Sequence, residues 1–211
     1  MKERPILMSA PMVLASLDES KTQTRRIAKG MALAWLDAGF HPDFVASAEN
    51  RICPFGLPGD QLWVREAWRA PLAYELTKPS DIPPGTPLSY EADGGGNLPK
   101  FNAGKLRPSM FMPRWASRLS LEITGVRVER LQEISQVDAI KEGISTVRTP
   151  EWDHKHFGAW RKEFDAACLA GIRPPLGPLP RESYRALWEE INGPGSWDLN
   201  PWVWVVSFRK V

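Results

Sequence analysis

The sequence predicts an α+β protein, a small mixed β-barrel with short flanking helices. Three observations carry this expectation. Strand-like runs dominate the interpretable segments, with short helical runs between them. The long crossover helices that a parallel βαβ sheet needs are missing. The closing stretch is apolar on both faces over Trp202–Val206, as a central strand reads.

Along the chain, "SAPMVLASLDES" predicts a short helix. Ser9 offers an N-cap, Pro11 sits in the first turn, and Val13, Leu14 and Leu17 supply an apolar stripe. "TQTRRI" then reads as extended, with Thr22, Thr24 and Arg26 on one face and Gln23 and Arg25 on the other. Lys21 stands at the joint. "MALAWLDAGF" suggests a helical piece before the turn-rich "CPFGLPGD". "QLWVREAW" alternates so that Leu62, Val64, Glu66 and Trp68 share a face. A carboxylate there is either exposed at a strand end or buried for a purpose.

From Arg69 to Met112 loops prevail, with a hairpin suggested around "PLSYEAD". "SRLSLEITGVRVERL" is a long strand, with Leu119, Leu121 and Ile123 alternating and Gly125 placed to make a bulge. "EISQVDAIKEG" is a compact helix with Ser135 as N-cap, Asp138 three residues on, and Gly143 as the stop. Phe157, Trp160, Phe164 and Cys168 follow a helical period inside an apparent insertion. "ESYRALWEEINGPG" is an amphipathic helix with Tyr184, Leu187, Trp188 and Ile191 on one side.

The composition narrows the function classes. A chain of 211 residues, 43% apolar, can bury a real core. A formal charge of +2 argues against coating nucleic acid by charge alone, although a local basic patch is compatible with it. The N-terminus is interrupted by Pro5, Pro11 and charges, so it has no signal-peptide h-region, and no apolar run is long enough to span a bilayer. Cys53 and Cys168 lie far apart in no metal-spaced motif, which suits a reduced, cytoplasmic protein. Most of the ten tryptophans are expected in the core.

Candidate chemistry begins with exclusions. "HKH" at 154–156 has no third ligand at a familiar spacing, and "DGGGN" lacks the lysine and helix of a phosphate loop. Cys168 falls on an apolar stripe, so no cysteine nucleophile is indicated. Glu142 is more informative. It lies in the last turn of its helix, where the dipole disfavours an anion, and a carboxylate held there can serve as a proton shuttle unless Lys141 simply compensates it. Lys21 and Thr24 form the second candidate. A threonine hydroxyl becomes a nucleophile when a base takes its proton. A lysine can be that base when burial or nearby charge, here from Arg25 and Arg26, lowers its pKa. Taken alone, the cluster also reads as a solvated basic loop.

The stretch "ESKTQTRR" resembles the ASCH-domain signature G-x-K-x-x-T-x-R, from the PUA-like superfamily. Lys21, Thr24 and Arg26 match, and Glu19 stands where the pattern has glycine. The later order is also similar: "PGDQLWVRE", "LEITGVRVERL", "AIKEGI" and "WVWVVSF". With "MPRWASRLSLEITGV" and "INGPGSWDLNPWVWVV", the chain resembles the larger ASCH proteins of phages and prophages. The resemblance covers about residues 5–27, 59–68, 115–145 and 182–211. It implies one PUA-like domain over 1–211, with insertions at about 28–58, 69–113 and 144–180.

One branch of that family removes the acetyl group from N4-acetylcytidine without a metal or cofactor, using a lysine, a threonine and a glutamate. By position these are Lys21, Thr24 and Glu142, with Arg26 to stabilise charge or position the pyrimidine, and strand parity adds Glu66 and Trp68 as substrate-binding pocket residues. The expected partner is a small N4-acylated cytosine nucleoside, with RNA binding no more than weak and no membrane partner. The rival branch implies a non-catalytic RNA- or modified-base-binding module, or a ribonuclease.

Overall fold

The structure is a computed structural model that describes residues 1–95, 98–99, 102–144, 169–171 and 179–211. The expected helical period through Phe157, Trp160, Phe164 and Cys168, and the histidines at 154 and 156, lie outside the described residues. In chain order the elements are β1 (Glu3–Leu7), α1 (Ala10–Leu17), β2 (Gln23–Ile27), α2 (Gly30–Asp37), α3 (Pro42–Ala46) and β3 (Gln61–Arg65). Then follow β4 (Trp68–Arg69), β5 (Ser89–Tyr90), β6 (Ser120–Arg130), α4 (Gln136–Lys141), α5 (Pro180–Asn192) and β7 (Trp202–Lys210). Single-turn 3₁₀ helices punctuate the proline-rich connections. No helix among the described residues is long and apolar enough to cross a membrane.

The fold is α+β. Five strands form a sheet in the order β1-β3-β6-β7-β2, and β4 pairs with β5 in a second, two-stranded sheet. The apolar closing strand β7 is interior, with Val203–Val206 buried, as its two-sided pattern requires. The expected barrel closure is not formed among the described residues, where β1 and β2 stand at opposite ends of the order. Both end strands are only five residues long, and β1 carries Pro5, a residue that sheets tolerate at an edge.

The chain divides into two units. The first comprises Met1–Ser20, Cys53–Val126 and Val206–Val211. Here β1 runs parallel to β3 with Ile6 opposite Val64, and β3 runs antiparallel to β6 with Leu62 opposite Leu121. Asp60 fixes that start: its carboxylate accepts from the Lys2 and Leu57 amides at 2.7 and 3.2 Å, and these bonds hold its pKa below the usual range. β1 itself was not apparent from pattern, because only Ile6 of its five residues is buried. In α1 the buried residues are Met12, Val13, Ala15 and Ser16, so Leu14, placed on the apolar stripe by periodicity, faces out. β3 ends at Arg65, and Trp68 begins β4. The alternation of burial nevertheless runs through the break, with Leu62, Val64, Glu66 and Trp68 all buried.

The second unit comprises Lys21–Ile52 and Arg127–Val205. Its core includes Val128, Leu131, Ala139, Tyr184, Leu187, Trp188 and Val203. Along β6 the buried positions switch from odd (Leu121, Ile123) to even (Val128) across Gly125, as one extra residue in a strand would make them do. α4 forms as expected: the Ser135 hydroxyl accepts from the Asp138 amide at 3.0 Å, and Gly143 ends it at φ +90°. α5 buries Tyr184, Leu187 and Trp188, but Ile191 is exposed near its C-terminal end.

Candidate active site

All the groups of this site belong to the second unit. The backbone first brings the two segments together. Lys21 makes an isolated antiparallel bridge with Glu142, and the Thr22 amide donates to the Lys141 carbonyl at 2.8 Å. With the entry to β2 thus tied to the end of α4, the Lys21 and Glu142 side chains must meet. They are 3% and 4% exposed.

Lys21 Nζ donates to Glu142 Oε2 at 2.7 Å, to the Gln23 carbonyl at 2.8 Å and to the Glu142 carbonyl at 2.9 Å. Three acceptors match the three protons of an ammonium. Burial nonetheless lowers the Lys21 pKa. The Glu142 carboxylate opposes that shift, while Arg26 and Arg25 add to it. The lysine is therefore charged by its contacts, yet holds its third proton loosely.

The other carboxylate oxygen, Glu142 Oε1, accepts from Arg25 Nη1 at 3.0 Å. The helix dipole at this end disfavours an anion, and Lys21 and Arg25 compensate it; Lys141 is exposed. Arg25 has a fully buried side chain. It also donates to Glu129 Oε1 from Nε at 2.9 Å and from Nη2 at 2.7 Å, and lies 3.5 Å from Asp138 Oδ2. Burial works against its charge, but Glu142 and Glu129 outweigh it and raise its pKa. Arg127 completes the chain, donating to Glu129 Oε2 at 2.8 Å and Asp138 Oδ2 at 3.0 Å. Three cations thus face three carboxylates, a balance that keeps each buried charge paired.

Thr24 is buried in β2, and among the described residues no hydrogen bond joins its hydroxyl to Lys21. Arg26 is half-buried. Burial lowers its pKa, while Glu142 and Tyr184 act in the opposite direction. Tyr184 from α5 lies under Arg25, with the guanidinium 6.0 Å from its ring centre. Its phenol is pushed well above its ordinary value by burial and then by Glu142, so it stays neutral. Among the described residues no three His, Cys, Asp or Glu side chains are grouped to hold a metal ion.

Glu66 and Trp68 belong to the first unit. Glu66 is 2% exposed and takes a two-pronged bond from Arg118, Nε to Oε1 at 2.8 Å and Nη2 to Oε2 at 3.0 Å. Arg118 also grips Asp93 and lies 4.2 Å over the Tyr90 ring. Trp68 is fully buried in a cluster with Ala70, Ile82, Met112 and Ala116.

Sequence reasoning missed the partners that organise Glu142. Arg25 was read only as a nearby charge, and Asp138 only through its capping position. The signal for Glu129 and Arg127 was present in "VRVER", where charges alternate with valines along one strand face. Glu19, at the signature's glycine position, sits at φ +65° directly after the α1 C-cap Asp18. The turn is thus kept in a left-handed conformation without the residue that adopts it at no cost.

No protein-family model matches the chain, and no curated protein matches it. A solved structure that aligns with it is the high-resolution crystal structure of an ASCH domain from Lactobacillus crispatus JV V101. It is 10% identical, covers 94% of this chain and 69% of that one, and has a TM-score of 0.33. A likeness of that size decides nothing about the site.

Proposed function

We propose that the protein is a metal-independent amidohydrolase that removes the acyl group from N4-acylated cytosine nucleosides such as N4-acetylcytidine. The observation that carries this reading is the buried 2.7 Å contact between Lys21 Nζ and Glu142 Oε2, made by a lysine whose proton is loosened by burial. Such a pair can pass one proton back and forth, which an amide cleavage needs at both ends.

The reaction starts from the neutral amine of Lys21, and Glu142 relays to N4 the proton that Lys21 gains. The amine then takes the proton of the Thr24 hydroxyl as its oxygen attacks the acyl carbonyl. Arg26, held cationic, stabilises the developing oxyanion or positions the pyrimidine. Glu142 protonates N4 as the carbon–nitrogen bond breaks, and cytidine leaves. Water then attacks the Thr24 ester, its proton returns through the same couple to the Thr24 oxygen, and the carboxylic acid is released. In a shorter variant Lys21 activates water directly and Thr24 only orients it. The reading gives Glu66 and Trp68 no chemical step.

One observation favours a second reading, a non-catalytic module that binds RNA or a modified base. All three Lys21 protons rest on fixed acceptors, as they would in a structural brace. Incubating purified protein with N4-acetylcytidine, with and without a strong chelator, separates the two. Conversion to cytidine at equal rates supports the amidohydrolase. No conversion supports the module, and loss of activity in chelator, restored by zinc, overturns the metal-free mechanism.

A further inference from the structure

Between Lys21 and Arg25 in the sequence stands a side chain whose oxygen has no donor among the described residues. Gln23 is 5% exposed, and its Oε1 is buried without a hydrogen-bond partner among the described residues. A buried carboxamide oxygen without a donor is costly and rare in a folded core. In β2, Gln23 shares its strand face with Arg25, two residues on, whose guanidinium reaches Glu142 Oε1. Its own carbonyl holds the Lys21 ammonium at 2.8 Å. Backbone contact and strand parity thus place Gln23 beside the Lys21–Glu142 pair, with an acceptor that neither cation satisfies.

We propose that Gln23 is a specificity-determining residue whose Oε1 accepts a hydrogen bond from the N4–H of a bound cytosine base. This deepens the amidohydrolase reading and rests on it for the identity of the ligand. The N4–H of cytosine, and of its acylated form, is a donor adjacent to the bond to be cut. Pairing it with Gln23 supplies the missing donor and holds the acyl group on the strand face of Arg25, opposite Thr24, which suits the variant in which Lys21 activates water directly. A site built around an acceptor rejects ligands that cannot donate, because the buried oxygen is then left unpaired.

The test is equilibrium binding of cytidine and of N4,N4-dimethylcytidine, by calorimetry, to the wild-type protein and to Gln23→Met. Methionine keeps the length of the side chain and removes its polar end. Wild type should bind cytidine at least about 10-fold more tightly than the dimethyl analogue, the scale of one hydrogen bond to a buried group. Gln23→Met should lose that preference and should melt at a higher temperature than wild type, since an unpaired buried polar group is gone. A structural role for Gln23 would instead lower the melting temperature. The proposal is overturned if wild type binds both nucleosides alike, if it binds neither, or if Gln23→Met keeps the preference. Because binding needs no turnover, a wild type that shows the preference but never cleaves N4-acetylcytidine would end the amidohydrolase reading and leave Gln23 as a contact of a binding module.

Discussion

Glu142 in the second unit and Glu66 in the first are both buried carboxylates met by an arginine, yet their surroundings allow different chemistry. Glu66 gives both oxygens to the fork of Arg118. A guanidinium never releases a proton at working pH, so that pair is a fixed brace, reinforced by Asp93 and the Tyr90 ring. Glu142 divides its oxygens between Arg25 and Lys21. Arg25 holds one oxygen with a permanent charge, while Lys21 holds the other with a proton that burial has loosened. Burial alone does not distinguish the two carboxylates. A partner able to give its proton up does.

The largest test exchanges that partner. Lys21→Arg makes the Glu142 site resemble the Glu66 site, retaining charge and most of the reach while abolishing proton exchange. Turnover of N4-acetylcytidine should fall to near background, while cytidine affinity changes only a few-fold. Appreciable catalysis by this variant would remove Lys21 as the base, and greater damage from Lys21→Ala than from Lys21→Arg would make it a simple charge.

The next test compares the two carboxylates directly. Glu142→Gln should lower turnover by about 10²-fold or more, the usual scale for losing a general acid or base. Glu66→Gln should leave turnover within a few-fold but cost about 1–3 kcal/mol of stability in denaturant titration, because the Arg118 fork loses the charge of its buried partner. If the two variants exchange these effects, the contrast between the sites is wrong.

The fold's α+β character was legible because β6, β7 and α4 each carry strong local signals: alternation, two-sided burial, a Ser135 cap and a Gly143 stop. The site was half legible. Lys21 and Glu142 could be named because a lysine at a helix–strand joint and an acid at a helix C-terminus are each unusual. Their partners were not legible, since Arg25, Glu129, Asp138 and Arg127 meet only through pairings distant in sequence. Parity marked Glu66 and Trp68 as buried, but it could not show that Arg118 occupies the one and an apolar cluster the other, since those contacts are distant in sequence.

pH profiles sharpen the contrast more gently. Burial holds the Lys21 pKa in the folded protein below the ordinary 10.5. Between the folded value and 10.5 the unfolded chain binds more protons, so this group's contribution to stability rises with pH across that window and is lost as pH falls through it. If neutral Lys21 is the base, kcat/KM should rise with pH along a limb whose midpoint lies below 10.5. The Glu142 carboxylate raises the Lys21 pKa, so residual activity in Glu142→Gln should show that limb displaced to lower pH. Glu66→Gln should leave it in place. A limb unmoved in Glu142→Gln would uncouple the two groups.

The smallest expected effect is at the outer end of the Glu142 network. Arg127 is about two-fifths exposed, donates to Glu129 and Asp138, and has no bond to Glu142. Water screens an arginine at that position, so Arg127→Gln should cost only about 0.2–1 kcal/mol of stability. Arg25 would still bind Glu129 through two nitrogens, so its hold on Glu142 Oε1 should persist, and turnover should stay within about 3-fold, well under 1 kcal/mol of barrier. The measurement is turnover on N4-acetylcytidine beside a denaturant melt. A loss of turnover near that of Glu142→Gln, with stability almost unchanged, would show that the charge balance of the whole chain, and not the Lys21 contact alone, tunes Glu142. The distinction between an exchangeable pair and a fixed brace would then have to be drawn around both networks entire.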